Sequence, residues 1–134
     1  MAQPLRGSVL IVDDEPVIVR ALARLLRRDG YRVETASNGR QALARLQTQS
    51  YDVILSDLRM PELDGRAFYD CLVQGYGALY QRVIFFTGDY GTPSSRAFLE
   101  QSGQPWVRKP CTITAVRCAI EQVLRGAGPS ATAR

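Results

Sequence analysis

Histidine is absent from this chain. Without an imidazole there is no Ser-His or Cys-His nucleophile pair and no usual general base near neutral pH. Lysine is nearly absent as well: of 17 basic residues, 16 are arginine and the other is Lys109. No apolar run approaches the roughly 20 residues that cross a bilayer, and Met1-Ala2-Gln3-Pro4-Leu5-Arg6 is not a signal peptide. The three cysteines, Cys71, Cys111 and Cys118, are an odd number without metal-type pairing. They read as reduced, small core hydrophobes of a cytoplasmic protein. No five arginines run together, so the net charge of +4 reads as solvated polar faces rather than a nucleic-acid surface.

What is present is one domain's worth of chain, 134 residues at 46% hydrophobic. Val9-Leu10-Ile11-Val12 is a β-rich run closed by Asp13-Asp14-Glu15-Pro16, where Asp14 can cap a helix with Pro16 in its first turn. In that helix Ile18, Leu22, Leu25 and Leu26 share one face, and Arg20, Arg24, Arg27 and Arg28 another. Tyr31 to Thr35 alternates polar and apolar, the pattern of an edge strand. Asn38 caps a second helix running to about Gln47. A third strand, Val53-Ile54-Leu55-Ser56, ends at Asp57, and Asp64-Gly65 opens a third helix that ends at Gly75-Tyr76-Gly77. Val83-Ile84-Phe85-Phe86 is a fourth strand ending at Thr87-Gly88-Asp89. Thr92-Pro93 starts a short helix to about Gln101, Trp106 to Pro110 is a mixed fifth strand, and Thr112 caps the last helix.

Five strands alternating with five helices predict a doubly wound parallel α/β sheet with helices on both faces. Strands one, three and four are apolar and so central; two and five are mixed and so edges. The predicted order is 2-1-3-4-5, with a switch point between strands one and three. Asp13, Asp14 and Asp57 then meet at the carboxyl ends of neighbouring strands. Two carboxylates about 4 Å apart repel by about 4 kcal/mol at an effective dielectric near 20, so protons or a cation must offset three. An all-oxygen cluster suits a hard ion such as Mg²⁺. Lys109 arrives as a flexible point charge suited to phosphate, and Thr87 supplies a hydroxyl. These are the parts of phosphoryl transfer, with Asp57 as the nucleophile.

Asp13-Asp14-Glu15-Pro16, Asp57 within S-D-L-R-M-P-E-L-D-G, Thr87-Gly88 and Lys109-Pro110 together resemble the receiver domain of two-component response regulators. The resemblance spans 7–125, leaving 1–6 and 126–134 as flexible termini. It implies a flavodoxin-like fold and a phosphoryl group accepted on Asp57 from a phosphohistidine. The partner is a histidine kinase or histidine phosphotransfer protein, meeting the domain through its first helix. It also implies Mg²⁺ held by Asp14 and Asp57 directly, by Asp13 through water and by the Arg59 carbonyl. Thr87 and Lys109 would hold phosphoryl oxygens, and the Lys109-Pro110 bond would be cis. On this reading the chain is no enzyme in the ordinary sense but catalyses its own phosphorylation and dephosphorylation. It makes no direct contact with nucleic acid or membrane and is a monomer or weak dimer.

Trp106 stands where the family carries its switch Tyr or Phe, paired with Thr87, and its bulk predicts restricted switching. Arg59 and Asp89 flank the site with opposite charge and are expected to modulate the lifetime of phospho-aspartate. The T-G-D start, the proline in the fourth helix and the G-Q-P-W strand resemble receivers attached to hybrid sensor histidine kinases. With about nine residues after the last helix, the chain reads as a stand-alone receiver or one excised from such a kinase. The alternative is a partner-binding receiver-like module with little phosphorylation-driven switching. A nucleotide-binding relative would need a phosphate-cradling loop where Asp13-Asp14-Glu15 stands, and an aspartate-nucleophile phosphatase a second aspartate where Arg59 stands.

Overall fold

The computed structural model describes residues 6–88, 91–109 and 112–126. The chain runs β1 (Gly7–Val12), α1 (Pro16–Arg28), β2 (Tyr31–Ala36), α2 (Gly39–Leu46), β3 (Val53–Ser56) and α3 (Gly65–Gly75). It continues through a 3₁₀ helix (Gly77–Arg82) to β4 (Val83–Thr87), α4 (Pro93–Ser102), β5 (Trp106–Arg108) and α5 (Ile113–Leu124). The strands form one parallel sheet in the order β2-β1-β3-β4-β5, the predicted flavodoxin-like arrangement. Val9 to Val12 are fully buried, as are Val83 to Phe85, because both sheet faces are covered. One core layer holds Val9, Ile11, Leu22 and Leu26 with Val116 and Ile120 of α5. The other holds Leu10, Val12 and Ile54 with Phe68, Leu72 and Leu99.

Side-chain caps start α2, α3, α4 and α5, where Asn38, Asp64, Thr92 and Thr112 accept from the backbone N–H three residues on. α1 differs from expectation. Pro16 occupies N1, so the N-cap is Glu15, without a side-chain capping bond, and Asp14 is left exposed beside the sheet. The 3₁₀ helix was not expected; Gly77, at φ 62°, turns the chain there, and Leu79 and Tyr80 pack on the core.

The cysteines correct another expectation: Cys118 is exposed and Cys71 half-buried, so neither is a core residue, while Cys111 lies outside the described residues. Most of the two termini also lies outside them, but Arg6 does not behave as a loose end. Its N–H donates to the Gly30 carbonyl, and its guanidinium reaches Glu121 and lies over Tyr31. Gly126 N–H bonds back to Val123. Among the described residues no helix is long and apolar enough to cross a membrane.

Candidate functional site

Strand pairing places the acids. Beyond β1 the Asp13 N–H still donates to Ala36, at 3.0 Å, and beyond β3 the Asp57 N–H donates to Val12, at 2.9 Å. The ladder therefore carries both residues to the carboxyl end before the chain turns away. Past β4, Lys109 N–H donates to the Thr87 carbonyl at 2.9 Å, which brings the lysine to the same end. Carboxylate oxygens of Asp13, Asp14 and Asp57 lie within 4.8 Å of one another, with Asp13 and Asp57 buried and Asp14 exposed.

The loop after Asp57 is held by close backbone approach. Leu58 N–H donates to Asp57 Oδ1 at 2.7 Å, and Arg59 N–H reaches the same oxygen at 3.4 Å. Gly65 returns to this turn so closely that a Cβ on it would lie 1.9 Å from the Asp57 carbonyl oxygen. Glu62, at φ 64°, takes the left-handed conformation that lets the loop come back.

Lys109 is the hub. Its Nζ is 2.7 Å from Asp13 Oδ2, 2.7 Å from Glu15 Oε1 and 3.0 Å from Asp57 Oδ2, and it sits 5.0 Å from the centre of the Phe86 ring. Burial works to lower the Lys109 pKa but is outweighed by the close carboxylates of Asp13, Glu15 and Asp57, so it is raised. Burial pushes the Asp13 carboxyl up, against the pull of Lys109, and the Asp57 charge adds to the rise. Asp13 Oδ1 accepts from the Glu15 N–H, whereas buried Oδ2 has no hydrogen-bond partner in good geometry; its contact with Nζ is an oblique ion pair.

Acids thus outnumber cations, and a buried carboxylate oxygen is left under-satisfied. Both features fit a divalent cation held by oxygen donors from Asp13, Asp14 and Asp57.

The structure brings Asp13, Asp14, Asp57 and Lys109 together, and Thr87, fully buried, ends β4 beside them. Arg59 is exposed in the turn that follows Asp57. Trp106 lies on edge strand β5 opposite Phe85 and is 42% exposed, a ring at the surface rather than in the core. Asp89 lies outside the described residues, as does Pro110, so the expected cis bond and the expected Arg59–Asp89 pairing fall outside them too. Sequence reasoning missed Glu15. The available signal was Pro16, which marks Glu15 as the N-cap and so puts its side chain at the carboxyl end of the sheet, facing the only lysine.

Comparison with known proteins agrees with this geometry. The response regulator receiver domain matches residues 9–121. The tetrathionate response regulatory protein TtrR of Salmonella typhimurium is 30% identical over 88% of this chain and 56% of its own length. The alginate biosynthesis transcriptional regulatory protein AlgB of Pseudomonas aeruginosa is 33% identical over 89% of this chain and 26% of its own. The chain thus spans about half the length, or less, of these relatives. Among solved structures, the signal receiver domain of a signal transduction histidine kinase from Syntrophus aciditrophicus has a TM-score of 0.80 at 32% identity, covering 90% of this chain and 91% of that one. The chemotaxis response regulator CheY4 of Vibrio cholerae has a TM-score of 0.78 at 29% identity, covering 91% and 100%. With the acids of two neighbouring strands gathered round one lysine on this fold, the chain belongs to the response regulator receiver domain family.

Proposed function

We propose that Asp57 accepts a phosphoryl group from a phosphohistidine of a histidine kinase or histidine phosphotransfer protein, and that the domain signals by the resulting change at its carboxyl end. The convergence of Asp13, Asp14 and Asp57 with the sole lysine is the observation that carries this reading. A carboxylate oxygen of Asp57 attacks phosphorus, a P–O bond forms, and the P–N bond breaks with its electron pair going to the imidazole. The Leu58 N–H orients the attacking carboxylate by holding Oδ1. Lys109, 3.0 Å from Oδ2, is placed to offset charge on the transferring group, with Thr87 as its hydroxyl partner. Asp13, Asp14, Asp57 and the Arg59 carbonyl are the residues that would hold Mg²⁺. When bound there, the ion supplies charge neutralisation to the phosphoryl oxygens.

The face for the phosphodonor is assigned to α1. Arg20, Arg24 and Arg28 stand exposed four residues apart, and among the described residues none of them makes an ion pair. Beside them an apolar cleft of about 450 Å³, lined by Ile18, Leu22, Leu25, Phe86 and Ile113, runs up to Glu15 and Lys109. An amphipathic helix with an acidic flank matches both features and would bring its phosphohistidine to the site. Thr87 and Trp106 occupy the switch positions in this reading, with motion restricted at Trp106. Because Trp106 is already at the surface, its fluorescence is expected to shift little on phosphorylation. Similar identities to transcriptional regulators and to a kinase-borne receiver leave attachment to a hybrid kinase no better supported than a regulator setting.

The test is incubation with Mg²⁺ and acetyl phosphate, followed by intact mass on wild type and Asp57→Asn. A phosphoryl-sized gain in wild type alone is expected. No gain in wild type, or the same gain in both, overturns the assignment.

A further inference from the structure

Lys109 has an acidic partner outside the three-aspartate cluster. Glu15 Oε1 is 2.7 Å from Nζ, closer than Asp57 Oδ2 at 3.0 Å. The Glu15 side chain is 56% exposed and that of Lys109 only 12%, so the carboxylate covers the ammonium from the solvent side. Glu15 is the N-cap of α1 yet makes no capping bond with its side chain, and Pro16 at N1 fixes the backbone φ just beyond it. The side chain is therefore committed to the lysine rather than to the helix.

We propose that Glu15 is a positioning residue that tethers Lys109 in the resting domain and thereby restrains phosphoryl transfer to Asp57. The restraint rests on the reading of Asp57 as phosphoryl acceptor; the tether does not. A dianionic donor approaching from solvent meets the exposed Glu15 carboxylate before the ammonium behind it. For Lys109 to contact the phosphoryl oxygens it must weaken its contact with Glu15. A divalent cation held by the three aspartates would draw on Asp13 and Asp57, the lysine's other two partners, and leave Glu15 as its remaining anchor. Each effect raises the barrier for an incoming anion and is removed by neutralising Glu15. Since a half-exposed ion pair contributes little to folding, global stability would not report this role.

Lys109 is the only lysine, so amine-acetylating reagents report on it unambiguously once the chain's α-amino group is separated by peptide mass. Four proteins are compared: wild type, Glu15→Gln, Glu15→Asp, and Glu100→Gln, which removes the same charge from the exposed face of α4. The first measurement is the rate of Lys109 acetylation by N-hydroxysuccinimidyl acetate without Mg²⁺. The second is the rate of phosphoryl gain from acetyl phosphate with Mg²⁺, in which Asp57 takes the phosphoryl group and acetate leaves with the electron pair of the broken P–O bond.

Glu15→Gln is expected to speed both reactions by about threefold to tenfold. Glu15→Asp should return both toward wild type, and Glu100→Gln should match wild type. Unchanged acetylation in Glu15→Gln overturns the tether. Faster acetylation with unchanged or slower phosphoryl gain overturns the restraint. Equal acceleration by Glu100→Gln reduces the effect to net charge and overturns the proposal. If wild type gains no phosphoryl group, the assigned function falls and the restraint with it, while acetylation still decides the tether.

Discussion

At the carboxyl end of the sheet Lys109 faces Asp13, Glu15 and Asp57, with exposed Asp14 beside them. Toward the amino end Arg117 faces Asp29 through two hydrogen bonds of 2.7 and 3.0 Å, and Arg6 faces Glu121 at 3.3 Å. There Ser8 and Asp52 also close on each other: Asp52 Oδ2 accepts from Ser8 N–H and the Ser8 hydroxyl, which accepts in turn from Asp52 N–H. The amino end pairs Arg117 with Asp29 and Arg6 with Glu121 one to one, and the buried oxygen it leaves without a partner, Gln104 Oε1, belongs to a neutral amide. The other crowds acids round a single cation and leaves Asp13 Oδ2 under-satisfied. The same residue types thus stand in balanced, partly exposed pairs at one end and in an unbalanced, partly buried cluster at the other; the charge balance, not the composition, separates the two.

The largest expected break in this comparison is Gly65→Ala. The added Cβ would sit 1.9 Å from the Asp57 carbonyl oxygen and 2.8 Å from Leu58 Cα, both backbone atoms that cannot swing aside. Either the turn after Asp57 or the start of α3 must move. A loss of about 4 kcal/mol or more is expected in urea unfolding, at the exceptional end for one substitution. Next is Lys109→Ala. It strands the buried oxygens of Asp13 and Asp57 and the Glu15 carboxylate without their cation. Without divalent ions the expected cost is about 3 kcal/mol. Millimolar Mg²⁺ should recover part of it, and an equal loss with and without Mg²⁺ would contradict the cation-holding reading of the cluster.

How far the two ends could be told apart beforehand depends on what kind of signal each residue carries. Short β-rich apolar runs and the one alternating stretch specify the strands, and the contrast between apolar β1, β3 and β4 and mixed β2 and β5 specifies their order. Asn38, Asp64, Thr92 and Thr112 cap helices where they stand because capping is local chemistry. Asp13, Asp14, Asp57 and Lys109 were legible because each follows a strand. Glu15 was harder to read: Pro16 places it at the carboxyl end of the sheet, but its partner lies 94 residues away and no local pattern names it. The same proline shifts the N-cap off Asp14. Arg6, Asp29, Glu121 and Arg117 were illegible for a related reason: side chains that reach α5 from the residue before β1 and from the C-cap of α1 leave no periodic trace. Cysteine's average preference for burial said nothing about Cys118, whose position on the outer face of α5 is set by helical phase.

A smaller effect, of opposite sign, is expected for Asp13→Asn. Burial holds the Asp13 carboxyl above its ordinary 3.8, so the folded state keeps a proton that the unfolded chain has already released. Where the folded state binds more protons, stability falls as pH rises, and this happens from about 3.8 up through the raised folded value. Above that window the ionised, buried group is a standing cost. Asn removes it while Lys109 keeps Glu15 and Asp57. Without divalent ions, Asp13→Asn should therefore be more stable than wild type at pH 7 by about 1 kcal/mol, and its stability should rise more steeply with pH above about 3.8, because the opposing Asp13 contribution is gone. With Mg²⁺ the order should reverse or close, since the ion offsets the same charge in wild type. A substitution that stabilises the empty domain but lowers its response to Mg²⁺ is the mark of a residue kept for binding rather than folding.

The smallest effect is expected at the amino end, from Arg117→Ala. The Arg117–Asp29 pair has better hydrogen-bond geometry than any single contact of Lys109, being bidentate and near-ideal in length. Geometry alone would rank it first. Exposure reverses the ranking: the Arg117 side chain is 41% exposed against 12% for Lys109, so water replaces much of what the substitution removes. Asp29, left behind, is 17% exposed, against 9% for Asp57 and 0% for Asp13. The unfolding midpoint of Arg117→Ala should lie within experimental scatter of wild type at 0.15 M salt, as in ~1 M salt, where exposed pairs are screened further. A clear loss that disappears in high salt would mean the amino end also depends on its charges. The division between a balanced, water-screened end and an acid-rich end that depends on its one cation would then have to be redrawn.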